Sequence, residues 1–429
     1  MPHPNIAIVG AGPVGCTLAR LLHVHCPSAS VTIFEADTSP SYRSQGGCLD
    51  LHTATGLAAL KEAGLMDEFL KYARYDGESL KIADKDLNIY IHVQPSTAPD
   101  SPGGHLGGQR PEIDRPLLRK LLADSLPHSW TRWGWKLKEV LPAADGAGAR
   151  DARLTVSGFD LIVGAEGAWS KVRSVLSSTK PVYADLVYHE LHLMDAETTA
   201  PDVYKAVNRG SLFVHSDGQK VTLQQQGDGS IVVCVYYLAE DDTWVFDKRR
   251  CGFDSADLDE TKAALMEKVK DHHPLVREAI VKSTGRATAR NFYMLPVGFQ
   301  WPHRRGFTLI GDAAHVMTPF AGEGVNVGME DALELLRAIK AAGEDADKLD
   351  ANVAAFGAQL SVRAARYAQL TDGMRRAWFF TEDSPRAAMP KVLSMVARFH
   401  SPGVLKPLAA LLGTGYGYYK GHYPDKISV

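Results

Sequence analysis

The sequence predicts an α/β chain in which a mostly antiparallel sheet is inserted into a doubly wound, largely parallel one, with helices following. Three observations predict it. The opening "NIAIVGAGPVGCTLARLLHVHCPSASVTIFEAD" is an apolar run, a glycine turn, a helical spacing, a turn and a second apolar run, which is a βαβ unit. Two further runs, "FDLIVGAEGA" (Phe159 to Ala168) and "GFTLIGDAA" (Gly306 to Ala314), are continuously apolar and end in glycine and an acid, as strands covered on both faces do. Between about Pro181 and Ala287 the texture changes to "SLFVHS", "KVTLQQQ" and "SIVVCVYYL", separated by the hairpin signals "SDGQ" and "GDGS".

The remaining elements follow in order. Leu80 to Val93 adds strands to the inserted sheet, and "QPSTAPDSPGGHLGG" after it is loop. A helix runs on through "EDALELLRAIKAAG", a long one spans about 352–380, and the tail from Ser384 is helical pieces with a Tyr- and Gly-rich end. The expected domains are a discontinuous nucleotide-binding domain (1–75, 105–180 and 285–345), a substrate domain (76–104 and 181–284) and a C-terminal helical region (346–429). No repeat of fixed period is present.

Composition excludes several classes. The formal charge of -3 argues against nucleic acid, which needs a basic face, and Lys248, Arg249 and Arg250 read as a solvated loop. Five cysteines form neither an even framework nor a CxxC pair, so a reducing, cytoplasmic setting is expected. No apolar stretch approaches the roughly 18 residues of a membrane span, so no stable membrane insertion is expected. Oligomeric state is not legible.

Gly10, Gly12 and Gly15 form G-x-G-x-x-G between a strand and a helix. The first permits the tight turn, the second lets a pyrophosphate approach the backbone, and the third lets helix and strand pack closely. With Pro13 and Val14 at the helix start, and Glu35 and Ala36 ending the next strand where an acid meets ribose hydroxyls, this is a dinucleotide site. NAD and FAD enzymes share the pattern, so a second site must decide between them.

That site is "GDAAHVMTPFAGEGVNVGMEDA", Gly311 to Ala332. Asp312 closes a strand beside the ligand crevice. Pro319 to Gly324 offers a flat surface that a ring system can approach, and a helix opening at about Val325 aims N–H groups and partial positive charge at it. A reduced flavin carries negative charge that such a helix start would stabilise.

The stretch resembles the second FAD-binding motif of the group A flavin monooxygenases, the para-hydroxybenzoate hydroxylase superfamily, at Gly311, Asp312, Ala313, Ala314, His315, Pro319, Gly322, Gly324, Asn326, Asp331 and Ala332. "GAEGAWSKVR" (Gly164 to Arg173) is similar to that family's Asp-Gly motif, which implies Gly167 at the cofactor, with Ser170 and Arg173 in register. "PEIDRPLLR" matches its arginine-bearing helix and implies Arg115 as a cofactor contact. Two residues depart from the pattern: Glu166 replaces the usual Asp, and Glu323 replaces the usual Gln, with solvent as its simplest environment. Within the superfamily, "NIAIVGAGPVGCTLARLL", "GGCLDLHTATGLAALKEAGL" (with Gly47), "PEIDRPLLRKLLADSL" and "SKVR" are most similar to the tetracycline-inactivating monooxygenases, the tetracycline destructases.

The resemblance implies a Rossmann-like FAD-binding domain of the GR2 flavoprotein type. It also implies an enzyme that uses FAD, NADPH or NADH and O2 to hydroxylate an electron-rich enol or phenol, such as a tetracycline, through a flavin C4a-hydroperoxide. No catalytic side chain is required or identified. Substrate contacts are expected from the inserted sheet, at Glu190, His192, Gln224 and Tyr236, and from the loop Pro319, Phe320, Ala321 and Gly322. At the destructases' polar contact positions this chain has Glu190, Ser211 and Val232, which do not preserve the family's Gln, Arg and His. The alternatives are a hydroxylase or epoxidase of another aromatic or polyketide metabolite, and a non-enzymatic scaffold of the GDI type. "HELH" (His189 to His192) lacks zinc-ligand spacing, so no metal is expected. His272 and His273 read as structural at a helix end, and His315 as packed and hydrogen-bonded.

Overall fold

The computed structural model describes residues 4–39, 47–94, 109–143, 146–151 and 155–427, so all but Gln94 of the expected loop at 94–108 lies outside the described residues. The chain forms two compact units, Met1–Ala73 with Arg115–Val182 and Tyr293–Gln369, and Arg74–Asp114 with Tyr183–Phe292 and Leu370–Val429.

The first unit is built on five parallel strands in the order Phe307–Leu309, Leu161–Gly164, Asn5–Val9, Ser30–Glu35, Thr131–Trp133. Their apolar runs carry no polar alternation because both faces are covered: Ile6, Ile8, Ile33, Ile162 and Val163 are all inaccessible to solvent. The first strand lies between the second and the Leu161–Gly164 strand, so the chain reverses its winding there, which is where such sheets open a crevice for ligands. The fingerprint helix Pro13–His25 packs against the helix Gly324–Ala342 that the second motif opens.

The second unit holds an eight-stranded sheet in the order Thr284–Met294, Val182–Leu193, Ile231–Leu238, Gln219–Gln225, Ser211–Ser216, Leu80–Asp84, Asn88–Val93, Asp425–Lys426. From Val182–Leu193 onward its ladders are antiparallel, except that Ser211–Ser216 runs parallel to Leu80–Asp84. One face is the core. Val187, Leu191, Leu212, Val214, Val221, Leu223, Val233 and Val235 are fully buried there, with helices Pro201–Val207, Leu258–Lys268 and Pro274–Lys282 contributing Val203, Leu265 and Ile280.

Three local readings need correction. The long helix is Ala346–Phe379 and starts six residues before the expected 352, because Asp345 caps it by accepting from the N–H groups of Asp347 and Lys348, a signal that apolar spacing does not carry. His273 begins a helix rather than ending one, its Nδ1 accepting from the Leu275 N–H with Pro274 in the first turn. Lys248 to Arg250 is a short helix capped by Asp247, and Arg250 is fixed by Asp241 (2.7 Å) and Glu240 (2.9 Å).

Candidate functional site

Each fingerprint glycine has its own geometric reason. Gly10 has φ +106°, and a Cβ there would lie 2.4 Å from the Ala165 carbonyl oxygen; a Cβ on Gly15 would lie 2.1 Å from the Gly10 carbonyl oxygen. A Cβ on Gly12 would meet nothing within 4 Å. The first and third glycines are thus required by the protein's own packing, and the second borders open space. Gly12 makes no side-chain cap for the helix that Pro13 begins, which leaves first-turn N–H groups directed outward. The Glu35 carboxylate closes this loop, accepting from the Ala11 N–H (2.7 Å) and the Asp37 N–H (2.8 Å). Arg119 braces it from the other side through Asp37 (2.9 Å) and the Ala11 carbonyl (3.4 Å). Arg119 and Arg115, both in the matched "PEIDRPLLR" stretch, are four residues apart on one helix face.

In the second motif, Asp312 does not close the strand, which ends at Leu309; it is exposed and opens the short helix Asp312–His315. Gly311 (φ +59°) and Gly328 admit Val14 between them, at 3.2 and 2.5 Å from their would-be Cβ atoms. Asp331, wholly buried, ties the segment together: it accepts from the Gly311 N–H (3.0 Å) and from His315 Nε2 (2.6 Å), and pairs with Arg363 (2.7 Å). His315 is therefore a packed, hydrogen-bonded residue.

Pro319–Ala321 forms a single 3-10 turn whose Phe320 ring is buried while Pro319 and Gly322 are exposed, and Gly322 (φ +70°) reverses the chain. The helix opens at Gly324 with no side-chain cap from Glu323, so the N–H groups of Gly324, Val325 and Asn326 face outward behind a position that, like Gly12, would give a Cβ open space. Glu323 does not point to solvent. It is buried, and its Oε2 lies 3.3 Å from His52 Nδ1, while His52 Nε2 lies 2.9 Å from Asp50 Oδ2. The Asn326 side chain is engaged in the same cluster, accepting from the His52 N–H (2.8 Å) and donating to the Asp50 carbonyl (2.8 Å). The Asn326 amide is thereby committed to holding the Asp50–His52 strand end. Asp50 and His52 lie within "GGCLDLHTATGLAALKEAGL", but only the fold shows what they meet.

Glu166 accepts from Ser170 Oγ (2.8 Å) and the Val172 N–H (2.9 Å), and burial raises its pKa. Arg173 is buried and donates to the carbonyls of Ala313 (2.9 Å) and Ala168, linking this turn to the second motif. Gly167 has φ +81° and open space at its Cβ position. Gly47 accepts from the Arg115 N–H (3.1 Å), and Arg115 Nε is buried with no hydrogen-bond partner among the described residues. Ala36 is exposed at the end of its strand. An unsatisfied guanidinium nitrogen, open space at Gly12 and two uncapped helix starts are what an extended dinucleotide requires: anion contacts for its pyrophosphate and an apolar, glycine-lined floor for its ring.

These features define a dinucleotide-binding α/β enzyme domain carrying both cofactor motifs of a flavoprotein. The chain belongs to the FAD-binding domain family of the group A flavin monooxygenases, matched over residues 4–351, and it is an FAD-dependent monooxygenase. It is 30% identical over 425 residues to the monooxygenase asqM of Emericella nidulans, covering 86% of this chain and 94% of that protein. It is also 30% identical over 372 residues to the monooxygenase penA of Penicillium thymicola, covering 77% and 83%. Solved structures share the fold: Klebsiella pneumoniae HpxO complexed with FAD and uric acid (TM-score 0.71, 16% identity, 97% of each chain) and the tetracycline destructase Tet(51) (TM-score 0.64, 14% identity, the whole of each chain).

In the second unit, register puts all four expected substrate residues on the sheet face opposite the core. Tyr188, Tyr236 and Lys220 form one row across three strands, Glu190, Cys234 and Thr222 the next, and His192, Val232 and Gln224 the third. Tyr188, Tyr236 and Phe292 stack at centroid distances of 4.8–5.8 Å. His192 Nε2 lies 3.4 Å from Glu190, and Gln224 donates weakly to Glu112 (3.4 Å), whose carboxylate also meets Arg74. His189 is on the core face, bonded to the Tyr237 hydroxyl (2.8 Å), and among the described residues no group of three or more His, Cys, Asp or Glu could hold a metal. A cavity of about 790 Å³ is lined by none of these residues but by the C-terminal helices, including Arg375, Phe380, Met395 and Tyr418.

Lys220 escaped the sequence reading, although counting back by twos from Gln224 would have found it. Its ammonium lies 3.9 Å from the Phe213 ring centroid, and burial pushes its pKa down to about 7. A lysine depressed in the folded state contributes stability above its unfolded value that is lost as pH falls through the folded one. Lys220→Met is expected to be more stable than wild type at pH 7, by on the order of 2–4 kcal/mol, and to flatten the pH dependence of stability between about pH 7 and 10. Urea unfolding at a series of pH values measures both.

Proposed function

We propose that this monooxygenase draws electrons from NADPH or NADH, consumes O2 and hydroxylates an electron-rich enol or phenol of polycyclic type, with tetracyclines as the leading substrates. The observation that carries the reading is the uncapped start of the Gly324–Ala342 helix behind the Pro319–Gly322 turn, which offers three outward N–H groups where a reduced flavin ring gathers negative charge. When bound, FAD supplies hydride acceptance and oxygen activation.

The chain's residues do the rest. Glu35 is placed to accept ribose hydroxyls, Arg115 and the Gly12–Gly15 helix start to hold the pyrophosphate, and Asp312 the ribityl side. The turn at Pro319, Phe320, Ala321 and Gly322 excludes water from one side of the ring. The second unit serves as the substrate domain, with Glu190, His192, Gln224 and Tyr236 on its polar face positioning the reacting carbon. The five free cysteines suit a reducing cytoplasm.

A second reading, another aromatic or polyketide metabolite, is favoured by the face itself: Glu190, Ser211 and Val232 replace the destructases' polar contacts, and a lysine among stacked aromatics suits a phenolate. A scaffold reading has no use for two open glycine positions at the two cofactor motifs. FAD-loaded protein in air is expected to oxidise NADPH faster with tetracycline than without, and to add one oxygen atom to the drug by mass spectrometry. If tetracycline neither stimulates oxidation nor gains mass while a simpler phenol does both, the second reading replaces the first.

A further inference from the structure

The C-terminal helix Lys406–His422 packs the reverse of an ordinary amphipathic helix. Gly413, Gly417 and Gly421 form its inward face; their would-be Cβ atoms lie 2.5 Å from the Leu393 carbonyl oxygen, 2.5 Å from Pro390 Cα and 3.2 Å from the Arg386 carbonyl oxygen. No larger residue fits at Gly413 or Gly417, so the helix cannot rotate to bury its bulky side. That bulky side faces outward. At about 100° per residue, Leu408, Leu411, Leu412, Tyr416, Tyr418 and Tyr419 fall within an arc of about 160°. All six are more than half exposed. With Val404, Leu405 and Tyr423 they make nine of the 21 exposed large hydrophobic residues among the described residues, gathered into 20 positions. An apolar face of this extent marks an interaction surface.

Charge says what covers it. The helices Met389–His400 and Lys406–His422 contain Lys391, Arg398, Lys406 and Lys420 and not one acidic residue, in a chain of net charge -3; Lys420 is paired with Asp425 (2.8 Å) beyond the helix, which leaves Lys391 and Arg398 exposed and Lys406 half-buried. Exposed cations without acids beside leucines and tyrosines are the pattern of a helix lying in a lipid interface: leucines enter the acyl boundary, tyrosines sit at headgroup level, and Lys391 and Arg398 meet anionic headgroups. A second copy of the chain would set Lys391 and Arg398 against cations of their own kind. No helix among the described residues is long and apolar enough to cross a membrane, so the contact is peripheral.

We propose that the outward face of the Lys406–His422 helix docks this enzyme on an anionic membrane surface. The test uses the full-length, FAD-loaded protein with vesicles of phosphatidylcholine alone and of phosphatidylcholine with phosphatidylserine in equal parts. Co-sedimentation is expected with the mixed vesicles, weaker with phosphatidylcholine alone, and reduced by salt. The exposed triple variant Leu408→Ser/Leu411→Ser/Leu412→Ser is expected to lower the partition coefficient by roughly 100-fold with NADPH oxidation unchanged. Lys391→Gln/Arg398→Gln/Lys406→Gln is expected to abolish the preference for phosphatidylserine. Absence of binding to both vesicles, or binding undiminished in the leucine variant, overturns the proposal. So does a dimer in sedimentation velocity that the leucine variant converts to monomer, since a second copy then covers the face.

Discussion

Gly15→Ala is expected to yield an unstable protein that retains no FAD, whereas Gly12→Ala is expected to fold normally and lose affinity alone. The Gly15 Cβ would sit 2.1 Å from the Gly10 carbonyl oxygen, and Gly10 cannot retreat: its own Cβ position is closed by Ala165, and its N–H is held by the Phe34 carbonyl at 2.8 Å. Backbone against backbone leaves no flexible group to give way, so a cost of about 3 kcal/mol from overpacking outweighs the gain of under 1 kcal/mol from alanine's helix propensity. Gly12 has φ -75° and ψ 176°, which alanine adopts freely, and a Cβ there touches nothing. Its methyl group enters only the space assigned to the pyrophosphate, and a loss of about 3 kcal/mol in FAD binding, roughly 100-fold, is expected. Urea midpoints and FAD fluorescence titrations on the two variants separate the effects. Equal FAD affinity in Gly12→Ala and wild type would remove the pyrophosphate from that position.

Asp331→Ala is expected to be the most destabilising single change in the second motif, by about 3–5 kcal/mol. The carboxylate is wholly buried and meets the Gly311 N–H, His315 and Arg363 at once, so its removal leaves the imidazole without its anion and the guanidinium with only Glu330 at 3.4 Å. A pH signature accompanies the loss. Burial alone would lower the His315 pKa, but the Asp331 charge and hydrogen bond outweigh it and the net shift is upward. A raised histidine contributes stability that is complete below its unfolded value of about 6.5 and is lost as pH rises through the folded value. Wild type is therefore expected to lose stability across that window, and Asp331→Asn, which keeps the shape, to show no such loss in urea midpoints measured against pH.

What the sequence disclosed follows from how local each signal is. The three glycines, Glu35 and the Gly311–Ala332 stretch are read from neighbours in the chain, because tight turns and helix starts are made by consecutive residues. The alternation along "SIVVCVYYL", which puts Val232, Cys234 and Tyr236 on one face and Val233, Val235 and Tyr237 on the other, is legible for the same reason, a strand being a local object. Partners brought together by the fold were not legible. Nothing in "CLDLH" states that His52 meets Glu323 across 271 positions, so a carboxylate expected in solvent is buried against an imidazole. Lys220 went unnoticed because its significance lies in a register with Tyr236 and Tyr188 that only paired strands define. The outward leucine face of the last helix was hidden differently: apolar residues at helical spacing ordinarily mean core, and only the glycines locked against Pro390 and Leu393 reverse that reading.

The most direct test of the account is the binding of FAD to protein stripped of flavin, followed by quenching of FAD fluorescence for wild type, Gly12→Ala and Arg115→Ala. The account predicts one FAD per chain for wild type and affinities at least about tenfold weaker for both variants, since the first fills space assigned to the pyrophosphate and the second removes a contact to it. A wild-type protein that takes up no FAD, or variants that bind it as tightly as wild type, would contradict it.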